Sequence, residues 1–152
     1  MSYVAAEARQ ELLEAIAQAI DEIAVALAAL GGAYDLLDER TADTLEEQLF
    51  RPTQLAYGRA KRTYAGFAER HGLPIREFEP ASSGLPSQGV KGFVEGAGEA
   101  AGQADSTLAT LQDSMMPVEV GDAELRAGLA EVRTLLGHLP GRSRQLIRTL
   151  GR

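Results

Sequence analysis

The sequence predicts an all-α fold, a four-helix bundle with a short fifth helix at its C-terminal end, and three observations carry that prediction. Apolar residues recur at alternating steps of three and four: Leu13, Ile16, Ile20, Ile23, Leu27, Leu30, Tyr34 and Leu37, with similar series from Val90 to Met115 and from Leu125 to Leu139. That spacing keeps side chains on one face of a helix, and helices laid side by side hide such faces from water. Of the 152 residues, 45% are hydrophobic but only 5% aromatic, with no Trp, so the core must come from Leu, Ile, Val and Ala. Between the patterned stretches stand short polar or Pro- and Gly-containing segments, the punctuation of helical hairpins. The length fits one domain spanning residues 1–152.

Helix one is predicted over Ala5 to Leu37, roughly 50 Å long at the α-helical rise. Gly31-Gly32 is its weak place, where bending or fraying is expected. Asp38 to Asp43 reads as a tight polar connection, with Thr44 and Glu47 in capping-box spacing. Helix two is predicted over Asp43 to His71, kinked between Gln48 and Pro52 because proline has no N–H and disfavours helical geometry before it. His71-Gly72-Leu73-Pro74 forms its stop.

Residues 72–87 contain Pro74, Pro80 and Pro86 and no helical period. Extended, this connection could reach roughly 50 Å and cross the bundle. The topology would then resemble that of ferritin-like bundles, whereas a folded connection would give up-down order. The crossover is the reading we prefer, and the resemblance is one of topology alone. Helix three is predicted over Gln88 to Met116, and five glycines in its first half call for close approach by a neighbouring helix. Pro117 is read as its end, Asp122 as the cap of helix four over Ala123 to Leu139, and Pro140-Gly141 as a turn. A basic amphipathic segment, residues 141–152, completes the chain as the fifth helix.

Composition excludes several function classes. Without cysteine there are no disulfides, thiolate metal sites or cysteine nucleophiles, which fits a cytoplasmic protein. The N-terminus does not read as a secretory signal, and no apolar run approaches the roughly 20 residues of a transmembrane span. Net charge is −7, with 11 acidic against 2 basic residues in 1–50, which argues against duplex nucleic acid as a partner. The basic segments suit an acidic surface on the same chain, on a second copy or on another helical protein, with a homodimer preferred.

Candidate sites are few. A di-iron centre needs Glu-x-x-His on two helices, whereas Ala68 and Leu135 stand three residues before His71 and His138, so no resident metal or cofactor is expected. The acidic hairpin offers Asp35, Asp38 and Glu46 as oxygen ligands for Mg²⁺ or Ca²⁺, but dipole-favoured and solvated carboxylates explain them better. Gly96-Ala97-Gly98 lies inside a helical pattern without a preceding strand, so its dinucleotide-like spacing means nothing. Tyr34, Tyr57 and Tyr64 fall on inward faces and need hydroxyl partners, for which Arg59, Asp38 or a carbonyl freed by Pro52 are candidates. Two functions follow as expectations: a noncatalytic bundle that associates with itself or another protein through an Ala- and Gly-rich helix face, or a binder of a small molecule at Tyr34, Tyr57, Arg59 and Tyr64. An enzyme using the acidic hairpin ranks behind both.

Overall fold

The computed structural model describes residues 2–150, and every regular element among them is helical. Helix α1 spans Ser2–Tyr34 and runs unbroken through Gly31-Gly32, where a weak place was predicted. Gly32 has a packing reason: a Cβ there would stand 2.9 Å from Cε1 of Phe93, so the missing side chain admits a fully buried ring. The buried stripe of α1 is wider than the predicted seam. Leu12, Ala19, Ala26 and Ala33 are buried along with Leu13, Ile16, Ile20, Ile23 and Leu30, because the helix packs against two neighbours rather than one. Tyr34, predicted to face inward, is 43% exposed because α1 ends there, beyond the ring of Phe93.

The next helix starts earlier than the Thr44 capping box suggested. Asp38 is extended and its Oδ1 accepts the Thr41 N–H at 2.8 Å, which caps α2, Glu39–Leu45. Thr44 instead donates to the Arg40 carbonyl within the helix. The predicted kink is a single π-helical turn, Glu46–Phe50, leading into α3, Arg51–Arg70. The Arg51 N–H donates to the Glu46 carbonyl five residues back, and Pro52 leaves the Gln48 carbonyl without a helical donor. Arg142, far along the chain, donates to that carbonyl at 3.2 Å. The freed carbonyl therefore does not serve a tyrosine. At the other end of α3, Leu73 N–H bonds back to the Ala68 carbonyl and Gly72 takes φ 64, the left-handed stop the sequence announced.

After the connection, α4 spans Gly89–Asp113. It stops before Pro117: Met115 takes φ 65, and Pro117 sits in the first turn of a short α5, Met116–Val120, where a missing N–H costs little. Asp122 caps α6, Ala123–Gly137, as predicted. Pro140-Gly141 does not separate helices; both lie in the first turns of α7, Leu139–Leu150. Gly151 and Arg152, assigned to the fifth helix by sequence, lie outside the described residues.

The longer helices pack pairwise, α1 on α3 and α4, and α6 on α3 and α4. Paired residues give their directions. Glu22 and Thr107 meet near the middle of α1, and Gly32 and Phe93 at its end, so α1 and α4 are antiparallel. Arg70 with Asp122 and Arg59 with Glu131 make α3 and α6 antiparallel. The connection passes Ala17 and Asp21 near the middle of α1, where Arg76 is held, and reaches the C-terminal end of α1 at Ser83 beside Tyr34. The Ala- and Gly-rich face of α4 is covered within the chain. Ala97, Ala101 and Ala104 are buried in the core, and Gly98 receives the buried Ser143 of α7, whose hydroxyl donates to the Val94 carbonyl at 2.7 Å. Of the five glycines, Gly98 alone needs that closeness; Gly92 and Gly96 face only the Gln88 side chain of their own chain segment.

Candidate functional site

Small residues at helical spacing create an extended groove that gathers several predicted site residues. Ala24, Ala28 and Gly31 recur at steps of four and three along α1 and leave a shallow floor there. Phe50, carried by the π-helical turn, forms one wall, and Pro80, Ala81 and Ser83 of the connection form the other. The groove has two lobes that share Ala28, Gly31, Phe50 and Ala81, one of about 450 Å³ and one of about 310 Å³. These volumes lie in the range of small-molecule sites, which run from about 300 to 1,000 Å³.

The wide lobe brings together Tyr34, Asp35 and Glu46, three of the sequence candidates, beside Phe50. The narrow lobe contains Tyr57 with Leu27 and Gln54. Tyr57 is half-buried, and the Lys61 ammonium lies 4.9 Å from its ring centroid. Burial, assisted by the charge of Asp21, raises the Tyr57 hydroxyl above the ordinary tyrosine range, so it stays protonated and able to donate.

The other candidates lie elsewhere. Tyr64 is buried, but its hydroxyl accepts the Arg76 N–H at 3.1 Å and its ring meets the edge of Phe78 at 4.9 Å. The Arg76 guanidinium covers the Phe78 ring at 4.3 Å and pairs with Asp21. Tyr64 thus fastens the connection to the helices and lines neither lobe. Arg59 points toward α6, where it pairs with Glu131, and so serves no tyrosine hydroxyl. Asp38 is committed to capping α2. Its carboxyl is held below the usual range by the Thr41 N–H. Among the described residues no three His, Asp or Glu side chains converge to hold a metal ion.

A second polar cluster joins the end of α3 to the start of α6. The Asp122 carboxylate, 6% exposed, accepts from Arg70 Nε and Nη2 at 2.9 and 2.8 Å, from His71 Nε2 at 2.9 Å and from the Leu125 N–H at 2.9 Å. Burial pushes its pKa up, but Arg70, the Leu125 N–H and His71 together outweigh that and bring it to about 2. Every oxygen is engaged from within the chain, so this cluster is a clasp between helices. His71 joins Asp122, with its ring 4.4 Å from that of Phe67.

Sequence reasoning missed Phe50, Ala28, Gly31, Ala81 and Ser83. A signal for three of the floor residues was present in the Ala24-Ala28-Gly31 spacing, which marks a helix stripe too small to fill a core. The contribution of the connection had no such signal. Comparison with protein-family models, curated proteins and solved structures found no match for this chain. Among the described residues no helix is long and apolar enough to cross a membrane.

Proposed function

We propose that this protein is a noncatalytic, cytoplasmic helical bundle whose groove between α1, the π-helical turn and the connection binds a small, mainly apolar molecule. The groove is the observation that carries the reading: two joined lobes of suitable volume, walled by Phe50, Tyr34 and Tyr57 and floored by small residues. The bundle is taken to consist of α1, α3, α4 and α6. The antiparallel pairs and a connection running along α1 from its middle to its C-terminal end support crossover order, ferritin-like in topology alone. Nothing in the groove pairs a nucleophile with a base, and this favours binding over catalysis.

Gly31 supplies the test, because it lines both lobes and a Cβ there meets no atom within 4 Å. Gly31→Trp should abolish binding of a neutral apolar fluorophore such as Nile red, while the helix keeps or gains stability on loss of a glycine, by up to about 1 kcal/mol. Undiminished binding by a folded Gly31→Trp protein would remove the groove from consideration.

Self-association is the second reading. The Ala- and Gly-rich face of α4 is already covered, so a second copy would use the α3–α6 face, where Leu55 is 57% exposed beside Arg62 and Leu135. A molar mass independent of concentration would count against a dimer there, and Leu55→Glu should dissociate one that forms.

A further inference from the structure

We infer that the ligand of this groove carries a cationic head group, an ammonium or guanidinium on an apolar body, seated in the wide lobe with its body in the narrow one. The inference rests on the binding reading above and specifies its ligand. Charge complementarity is the argument. Asp35 and Glu46 both line the wide lobe, together with the rings of Tyr34 and Phe50. Carboxylates beside aromatic rings are the combination that recognises an organic cation: charge attracts it, and ring faces accept its weakly hydrated apolar surface.

Several acidic side chains at the helix contacts have basic partners. Asp21 pairs with Arg76, Glu131 with Arg59, Asp105 with Arg133, and both Asp122 and Glu124 with Arg70. Among the described residues neither Asp35 nor Glu46 has a basic group within ion-pair distance. The narrow lobe has the opposite character. It is lined by Ala24, Leu27, Phe50, Tyr57 and Pro80, and Lys61 stands over the Tyr57 ring. A cation is thus disfavoured beside Tyr57 and favoured beside Tyr34, which fixes the orientation of an amphipathic ligand. The surplus of acidic residues in 1–50 adds long-range attraction for the same charge.

The experiment titrates the full chain with benzyltrimethylammonium, with its uncharged isostere neopentylbenzene and with benzylsulfonate, following amide shifts by NMR. The cation should bind about tenfold more tightly than the neutral isostere at low ionic strength, and the sulfonate more weakly than either. Asp35→Asn with Glu46→Gln should bring the cation to the affinity of the neutral probe while leaving the neutral probe unchanged. Gly31→Trp should remove both. Equal binding of the cation and the neutral isostere would overturn the cationic inference and leave the groove standing. Failure of all three probes to shift amides of Gly31, Tyr34 or Tyr57 would overturn both readings.

Discussion

The two flanks of α3 meet very different neighbours. On the α6 side, helix faces helix: Arg70 and His71 close on Asp122, Arg59 on Glu131, and Gly128 lets α6 approach until Thr63 fills the space a Cβ would need. On the α1 side, beyond the Arg76 fastening, the covering element is an irregular chain through Pro80 to Ser83, and a groove remains. The difference is one of side-chain density. A helix delivers a residue every 1.5 Å and can interdigitate along its whole length, whereas an extended segment advances about 3.3 Å per residue and turns every other side chain away. When the segment offers Ala and Ser to a floor of Ala and Gly, no side chain is large enough to close the gap.

The sharpest way to break the closed flank is at Gly128, where a Cβ would lie 2.2 Å from Thr63 Oγ1 and 2.8 Å from its Cγ2. Gly128→Val should destabilise the fold by about 3 kcal/mol in urea titration, because two packed helices must separate. Thr63→Ala should recover part of that loss in the double variant, since it deletes both of the crowding atoms.

The clasp comes next. Asp122→Ala should cost about 2 kcal/mol at neutral pH through the lost cap and the lost charge pairing. Its folded pKa of about 2 lies below the ordinary 3.8, so the unfolded chain binds the proton more readily between those values. The contribution of Asp122 is therefore complete above about pH 4 and disappears as pH falls through about 2, so the urea-unfolding stabilities of wild type and variant should draw together as pH is lowered over that range. A difference that persists unchanged at the lowest pH would show that the carboxylate charge is not what stabilises the clasp.

The smallest effect belongs to the open flank. Tyr64→Phe removes the hydroxyl that accepts the Arg76 N–H and should cost about 1 kcal/mol. Hydrogen exchange should accelerate at the Arg76 amide, with α6 amides unaffected. Uniform acceleration throughout the chain would mean that the connection and the helices open together.

The helical class was legible because each long helix repeats its apolar signal many times, and the seam from Leu125 to Leu139, carried by α6 and the first residue of α7, is buried at every predicted position. The α1 seam was read less well. Ala19, Ala26 and Ala33 carry little hydrophobic signal, yet they are buried as fully as the isoleucines because two neighbours need room. Caps were half legible. Asp122 was found, while Thr44 was read as the cap and Asp38 as part of the connection, since several oxygen-bearing residues stand close together and only the backbone angle of Asp38 decides among them. Tyr34, Asp35, Glu46 and Tyr57 were selected for their chemistry and proved to border one groove. Arg59 and Tyr64 were selected on the same grounds, but they lie outside that groove, Arg59 paired with Glu131 and the Tyr64 hydroxyl accepting from the Arg76 N–H.

By itself, the sequence determined the long helices, the stop at Gly72, the cap at Asp122 and the irregularity before Pro52, because these depend on interactions within a few residues of one another. Tertiary structure alone decided that Arg142 would satisfy the Gln48 carbonyl, that Ser143 of α7 would seat against Gly98 of α4, and that Ala81 would lie opposite Ala28. Those partners are 94 residues apart in the first case and joined by an irregular segment in the last. No local period encodes such distances; they emerge only when whole faces are packed against one another.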